Sequence, residues 1–269
     1  MKKYSIISLF AGCGGLDLGF LGGFSFLGKE YPRHNFETIW ANDIDESSCG
    51  TFRKYFNQEI VCGDIVEILN QKYSPSLFDK PFPEKTDIVL GGFPCQDFSH
   101  AGKRRGFNSK RGLLYQSMIE AIKKTNPLVF VAENVSGLLT MHDGKAIRTI
   151  VSDFEDAGYN VAYKLLNAAH YGVPQIRKRV FIVGTKKNKL PVFEFLKAPF
   201  DTNKWVSLKE AIGDLENLEE GSVSNHYWSK AKLFPGTQGN TKVVMDKPGP
   251  TMRSEHHGNI EWHWNGKRR

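Results

Sequence analysis

Residues 87–96 read Asp87-Ile88-Val89-Leu90-Gly91-Gly92-Phe93-Pro94-Cys95-Gln96, an apolar run that stops at a proline and a cysteine. A continuous apolar run of this length is typical of a strand that is buried on both faces of a parallel sheet. Open parallel sheets bind their ligands outside the carboxyl ends of the strands. We therefore expect Cys95 to lie at a ligand-binding edge of such a sheet.

The surrounding sequence has the same organisation, because short apolar runs alternate with amphipathic ones over the first two-thirds of the chain. This alternation predicts an α/β fold with a Rossmann-like, mostly parallel sheet. Periodicity fades after residue 186, so we expect one domain over 1–186 and a small, loop-rich region over 187–269. The predicted strands lie near 4–10, 36–42, 59–62, 86–92, 127–132, 160–166 and 179–185, and the predicted helices near 15–22, 45–56, 65–72, 112–125 and 144–157.

Composition narrows the class of protein. The chain has 269 residues, of which 40% are hydrophobic, and it contains no apolar run of about 18 residues. We therefore expect no transmembrane helix and a cytoplasmic location. The four cysteines lack CxxC spacing, so neither a zinc site nor a disulfide framework is expected. The net charge of +7 favours a polyanionic partner, although a solvated basic surface explains it equally well.

A second strand-like run, residues 127–132, ends in Glu133-Asn134. An unpaired carboxylate there would be costly, so Glu133 is either a satisfied structural acid or a partly protonated group that donates to a ring nitrogen. Asn134 is expected to hold it.

Free cysteines are more often buried apolar residues than nucleophiles, but the cationic loop after Cys95 would lower its thiol pKa. A thiolate and an acid on adjacent strand ends favour covalent chemistry on an electron-poor ring.

Three earlier strand ends favour an adenosine cofactor. The glycine-rich turn at residues 10–15 would let the backbone approach a ligand closely, unless it is only a tight connection. Asp43 could accept both hydroxyls of a ribose, or else cap the next helix. Asp64 could accept an adenine amino proton while Ile65 packs on the ring.

A further segment, residues 175–179, leads into the last predicted strand. Alternation along an extended chain puts Gln175, Arg177 and Arg179 on one face. Two guanidinium groups on one face could hold a phosphate or a carbonyl group.

Six motifs, in order over residues 4–185, resemble those of the DNA (cytosine-5) methyltransferases, which use S-adenosylmethionine. Together they make a highly specific pattern. They are Phe10-Ala11-Gly12-Cys13-Gly14-Gly15, Asn42-Asp43, Gly63-Asp64-Ile65, Gly92-Phe93-Pro94-Cys95-Gln96, Glu133-Asn134-Val135 and Gln175-Ile176-Arg177-Lys178-Arg179.

The resemblance implies an enzyme that methylates C5 of cytosine in double-stranded DNA, of restriction-modification type. Cys95 would attack C6, Glu133 would bind N3 and the exocyclic amine, and Arg177 would hold the base with Arg179 and Gln175. A cytosine inside a duplex cannot be attacked, so it would be flipped out. Residues implied around the cofactor are Phe10, Gly12, Gly14, Gly15, Asp43, Ile44, Asp64, Ile65, Pro94 and Leu114. Residues implied near DNA phosphates are Ser99, Lys103, Arg104, Arg105, Lys110 and Arg111.

The resemblance implies that residues 1–186 form the cofactor-binding catalytic domain and that residues 187–269 form a partial target-recognition region. It weakens after residue 186, where the family's Arg-Glu helical segment and Gly-Asn element are not visible. We therefore expect either a truncated chain or the larger subunit of a split enzyme, with a second polypeptide supplying those motifs. One alternative is an RNA cytosine methyltransferase, although the Cys-Phe-Thr element of that group is missing. A catalytically silent subunit that binds DNA or cofactor is another. A nicotinamide enzyme would leave Cys95 and Glu133 without a role.

Overall fold

The computed structural model describes residues 2–70, 81–94, 114–219, 221–224, 240–252 and 262–264. A seven-stranded sheet forms its centre, with the strands in the order β5-β4-β1-β6-β7-β9-β8. The strands are β1 (Tyr4–Leu9), β2 (Phe24–Phe26), β3 (Lys29–Tyr31), β4 (Phe36–Asp43), β5 (Val61–Cys62), β6 (Ile88–Gly91), β7 (Val129–Val135), β8 (Tyr159–Asn167) and β9 (Lys178–Lys186). The helices are α1 (Gly15–Leu21), α2 (Glu46–Phe56), α3 (Ile65–Leu69), α4 (Leu114–Thr125), α5 (Lys145–Asp156) and α6 (Leu208–Ile212).

Strand β1 lies where the direction of the chain through the sheet reverses. From β1 the chain goes to β4 and β5 on one side, and it then returns to β6 and β7 on the other side. These neighbours pair in parallel, which confirms the predicted α/β fold with a mostly parallel sheet. In such sheets a crevice opens between the carboxyl ends of the two strands at the reversal, here β1 and β6.

Both faces of the central strands are buried, which explains the continuous apolar runs. Alternate residues of β1 enter different parts of the core, because Ile7 packs with Val89 and Phe130 whereas Ile6 packs with Leu90. All five side chains are completely buried. The two-residue period of a strand therefore supplies apolar residues to helices on both faces of the sheet.

A hairpin between α1 and β4 was absent from the sequence-based prediction. Strands β2 and β3 pair antiparallel, and the rings of Phe24 and Tyr31 stack with their centroids 4.6 Å apart. Both turn residues have positive φ, 47° at Leu27 and 72° at Gly28. This geometry is usual for two-residue hairpin turns, but it most often comes with Asn-Gly or Asp-Gly. Leucine at the first turn position therefore hid the hairpin.

The chain divides into two compact units. The first contains Met1–Leu165 and Val180–Phe195, and the second contains Leu166–Arg179 and Leu196–Arg269. In the second unit, Asn240–Lys242 (β10) pairs in parallel with Trp262–Trp264 (β11). The predicted boundary between residues 186 and 187 stays a prediction. Within the described ranges, no helix has the length and apolarity needed to span a membrane.

Candidate functional site

Four strands of the first unit end at the same level. The last paired residues are Leu9 with Asn42, Leu9 with Gly91, and Gly91 with Ala132. The segments that follow these paired residues in β1, β4, β6 and β7 contain the residues predicted to form the ligand-binding site. The carboxyl edge of the sheet therefore brings together the glycine-rich turn, Asp43, Gly92 and Glu133.

The glycine-rich turn leaves β1 with a sharp change in direction. Phe10, Gly12 and Gly14 have φ values of 53°, 55° and 84°, a region that is costly for most side chains and free for glycine. A Cβ on Gly14 would overlap the ring of Phe56, so this glycine is needed for packing. For Gly12 and Gly15, no described atom lies within 4 Å of a Cβ placed there. The main chain at these two glycines is therefore open to a ligand.

Asp43 holds this turn from the end of β4. Its Oδ2 accepts a hydrogen bond from the Gly12 N–H at 2.7 Å, and its Oδ1 accepts one from the Asp45 N–H at 2.9 Å. The alternative that Asp43 caps the next helix is wrong, because the cap of α2 is Asp45, which accepts from the Ser48 N–H at 2.8 Å. Each carboxylate oxygen can accept more than one bond, so Asp43 retains the capacity to accept a ribose hydroxyl.

Apolar surface adjoins this carboxylate. The next residue, Ile44, is 72% exposed, which is unusual for an isoleucine inside a folded unit. Ile65 is only 3% exposed and belongs to the core, so it offers little surface to a ring. A nucleoside would meet hydroxyl acceptors at Asp43 and an apolar side chain at Ile44. The described residues therefore fit the adenosine part of a cofactor.

Two polar residues at strand ends also have structural functions. Asp64 caps α3 and accepts from the Val66 N–H at 2.8 Å, a function that the sequence-based prediction missed. Asn42 is 1% exposed, and its amide donates to the carbonyls of Val61 and Gly63, both at 2.9 Å. These bonds join the end of β4 to the end of β5. The predicted contact of Asp64 with an adenine stays a prediction.

Asn134 joins the ends of β6 and β7. It is 2% exposed, its Nδ2 donates to the Phe93 carbonyl at 3.0 Å, and its Oδ1 accepts from the Val135 N–H at 2.8 Å. These bonds hold the segment that leads to Cys95, whereas the sequence suggested that Asn134 holds Glu133. The Glu133 Oε2 lies 3.6 Å from the position of a Cβ on Gly92. The Glu133 carboxyl group therefore lies beside the start of that same segment.

The structure describes only two of the remaining predicted residues near the segment that contains Cys95. Pro94 is exposed, and Leu114 begins α4 partly buried against the core. Cys95 lies outside the described residues, and so do the predicted DNA contacts Ser99, Lys103, Arg104, Arg105, Lys110 and Arg111.

The arginine-containing segment belongs to the second unit. Burial alternates along it as predicted, since Gln175, Arg177 and Arg179 are partly buried whereas Ile176 and Lys178 are exposed. A main-chain bond to Gly249 holds the segment, because the Ile176 N–H donates to the Gly249 carbonyl at 2.7 Å.

Side-chain bonds fix the same segment further. The Arg177 N–H donates to Asn167 Oδ1 at 3.1 Å, and its guanidinium donates to the Met252 carbonyl at 3.2 Å. The Arg179 guanidinium donates to the Lys178 carbonyl at 2.9 Å. Asn167 was not identified from the sequence, because the residue that it binds lies ten positions away.

Neither metals nor disulfides were expected. Cys13, Cys49 and Cys62 are free thiols. Among the residues that the structure describes, no group of three or more histidine, cysteine or acidic side chains could hold a metal ion.

Comparison with known proteins decides the family. A profile described as C-5 cytosine-specific DNA methylase matches residues 4–261. The chain belongs to this family. It is 47% identical over 185 residues to the Type II methyltransferase M.NgoFVII of Neisseria gonorrhoeae, which covers 69% of this chain and 44% of that relative. It is also 40% identical over 213 residues to the Type II methyltransferase M.FnuDI of Fusobacterium nucleatum, covering 79% of this chain and 56% of that relative. The chain thus spans about half the length of these relatives.

Solved structures show the same fold. A prophage-encoded Escherichia coli protein, described as a DNA modification methyltransferase, has a TM-score of 0.61 and 26% identity, with 81% of this chain and 57% of that chain covered. The Dnmt2 methyltransferase of S. pombe has a TM-score of 0.65 and 16% identity, with 97% of this chain and 75% of that chain covered. The predicted fold of S-adenosylmethionine-dependent methyltransferases is therefore confirmed.

Proposed function

We propose that this chain transfers a methyl group from S-adenosyl-L-methionine to C5 of cytosine in double-stranded DNA, as part of a restriction-modification system. The observation that carries the proposal is the junction of β6 and β7, where Asn134 binds the Phe93 carbonyl and the Glu133 carboxyl group lies beside Gly92. Two residues after Phe93 the chain reaches Cys95. Family membership and the Type II relatives support the same activity.

The first proposed step is nucleophilic attack. The Cys95 thiolate adds to C6 of the cytosine, while Glu133 in its protonated form donates a hydrogen bond to N3. Withdrawal of electron density towards N3 makes C6 electrophilic, and addition of the thiolate makes C5 nucleophilic. S-adenosylmethionine would supply the electrophilic methyl group. Loss of the C5 proton and of the thiolate then restores the aromatic ring.

The cofactor residues are assigned from the carboxyl edge of the sheet. The open main chain at Gly12 and Gly15 is proposed to lie under the methionine part, Asp43 to bind the ribose, and Ile44 to pack on the adenine. The predicted contacts of Phe10, Gly14, Asp64, Pro94 and Leu114 complete this assignment, whereas Ile65, which is buried in the core, is proposed only to support the pocket from behind. In the second unit, Arg177 is proposed to hold the base together with Arg179 and Gln175.

The target is reached by extrusion of the base, because the C6 atom of a stacked cytosine cannot be approached from above its ring. The basic residues between 99 and 111 are proposed to contact phosphates, and such contacts contribute affinity that depends on salt rather than on sequence. Residues 187–269 are proposed to form a partial target-recognition region. A cytoplasmic location and a second polypeptide as partner both stay predictions.

Covalent trapping tests the reaction. A library of random DNA duplexes containing 5-fluorocytosine removes the need to know the target, because the fluorine blocks release of the enzyme after methyl transfer. With S-adenosylmethionine present, the chain is expected to form an adduct that survives denaturing electrophoresis. Cys95→Ala should abolish the adduct, whereas the matched control Cys13→Ala should leave it unchanged.

The outcomes of this experiment distinguish the proposed function from the two alternative functions. Absence of an adduct even when a polypeptide with the Arg-Glu and Gly-Asn motifs is supplied, with retained binding of S-adenosylhomocysteine and DNA, would favour a catalytically silent binding subunit. An adduct with 5-fluorocytidine RNA and none with DNA would favour an RNA methyltransferase. An adduct that persists in Cys95→Ala would refute the proposed nucleophile.

A further inference from the structure

Asp17, in the first turn of α1, is a carboxylic acid in the interior of the first unit. It is completely buried, and its pKa is raised above the ordinary 3.8 because burial disfavours the charged form. Its Oδ2 accepts from the Ser8 hydroxyl at 2.7 Å, and its Oδ1 accepts from the Thr38 hydroxyl at 2.9 Å. One side chain therefore joins a helix to two neighbouring strands.

These bonds lie where the pairing of β1 with β4 is irregular. Ile6 pairs with Thr38, but the next residue, Ile7, pairs with Trp40, so Ile39 is an extra residue in β4. Thr38 lies just before this bulge, and Ser8 lies on β1 just beyond it. A bulge of this kind changes the register of everything that follows it. Asp17 thus bridges the two sides of the irregularity.

The register after the bulge determines the geometry of the carboxyl edge. It aligns Leu9 with Asn42, and in this alignment the Gly12 N–H reaches the Asp43 carboxylate at 2.7 Å. In the same glycine-rich turn, Gly14 is the N-cap of α1 and lies only three residues before Asp17. Asp17 is therefore tied both to the segment that carries Asp43 and to the helix that follows the turn.

Stability alone gives a weak reason for a buried acid at this position. Burial of a carboxylate is costly, and apolar replacements of similar volume often match or exceed the stability of buried charged groups. A carboxyl group that accepts two hydrogen bonds does, however, fix the distances between the segments that it joins more narrowly than apolar packing does. Both hydroxyl partners are themselves buried, Ser8 at 1% and Thr38 at 4% exposure.

We propose that Asp17 is a positioning residue for the cofactor pocket. Through its hydrogen bonds with Ser8 and Thr38, it fixes the position of the glycine-rich turn relative to Asp43. This inference rests on the proposed function, because the pocket concerned is the one that we assign to S-adenosylmethionine. Asp17 itself is completely buried, so it acts through these neighbours.

A matched control exists at the other end of β1. Asp87 accepts from both the N–H and the hydroxyl of Ser5, at 2.8 and 2.9 Å, and so joins β1 to β6 at their amino ends. Asp87→Asn therefore perturbs a similar carboxylate–serine contact far along the strand from the turn. Thr38→Val is a second, nearly isosteric variant that removes only one of the two donors to Asp17.

The experiment compares wild type, Asp17→Asn, Asp17→Ala, Thr38→Val and Asp87→Asn. Hydrogen exchange measured by mass spectrometry reports opening at residues 10–16, where the Ala11 and Gly12 amides are hydrogen-bonded to β4. Calorimetry with S-adenosylhomocysteine measures the pocket directly. In the Asp17 and Thr38 variants we expect faster exchange in this segment and, for Asp17→Ala, affinity weaker on the order of tenfold. Asp87→Asn should lower the melting temperature without either change.

Two results would overturn the proposal. One is unchanged exchange at residues 10–16 and an affinity within about twofold of wild type in both Asp17→Asn and Thr38→Val. The other is an equal effect of Asp87→Asn on the turn. If wild type itself fails to bind S-adenosylhomocysteine, the cofactor assignment fails, whereas the exchange data still decide whether Asp17 positions the turn.

Discussion

Replacement of Asn134 by alanine tests whether the contact between β6 and β7 sets up the reaction. The change removes the bond to the Phe93 carbonyl and the bond from the Val135 N–H. A buried main-chain group left without a partner costs roughly 1–3 kcal/mol. At 2% exposure little water reaches Asn134, so we expect Asn134→Ala to lower the free energy of unfolding by about 2–4 kcal/mol.

Stability and function must be separated in the assay. Urea unfolding gives the free energy, and the rate of adduct formation on 5-fluorocytosine DNA gives the function. Thr86→Val is the matched control, because the Thr86 hydroxyl lies 2.9 Å from the Ser5 carbonyl at the opposite end of β6. The control should lose about 1 kcal/mol and keep its adduct rate, whereas Asn134→Ala should react at least about tenfold more slowly under conditions where both variants are folded.

Two outcomes would refute this reasoning. A stability loss below about 1 kcal/mol would mean that the two main-chain groups find other partners. A large loss of stability with an unchanged adduct rate would mean that the segment before Cys95 keeps its position without Asn134.

Three further predictions concern the first unit. Because the protonated form of Asp17 is favoured in the folded state, its contribution to stability is greatest below pH 3.8 and falls as the pH rises through the folded-state pKa. As the pH rises from 3.8 through that pKa, the free energy of unfolding of wild type should therefore fall relative to that of Asp17→Asn, as measured by urea titration at each pH. A difference that stays constant with pH would contradict this prediction. Gly14→Ala should lower the free energy of unfolding by at least about 2 kcal/mol, because φ is 84° and the new Cβ overlaps Phe56. Ile44→Ser should change stability by less than about 0.5 kcal/mol yet weaken binding of S-adenosylhomocysteine in calorimetry, and unchanged affinity would remove Ile44 from the pocket.

The predicted elements agree with the structure where the signal is local. All seven predicted strands and all five predicted helices are present, with ends that shift by a few residues. Apolar periodicity and glycine placement act over neighbouring residues, so they can be recognised without knowledge of the fold. The hairpin at 24–31 was not predicted, because a leucine occupies a position where asparagine or aspartate usually indicates the turn.

The partners of the polar side chains could not be derived in this way. Asp43 was identified at the end of a strand, but its bond to the Gly12 N–H joins residues 31 positions apart. Asn134 and Phe93 are 41 positions apart, and Asp17 and Thr38 are 21 apart. Such pairs depend on strand order and on the bulge in β4, which no local pattern encodes.

The amino-acid sequence alone determined the alternation of strands and helices, the glycine-rich turn and the succession of motifs, since each reflects burial or backbone freedom within a short window. Tertiary structure alone decided that β1 lies beside both β4 and β6, that Asp43 accepts a hydrogen bond from the Gly12 N–H, and that Asp17 is buried between two hydroxyls. The physical reason is that hydrogen-bond partners and burial depend on which distant segments become neighbours in the sheet.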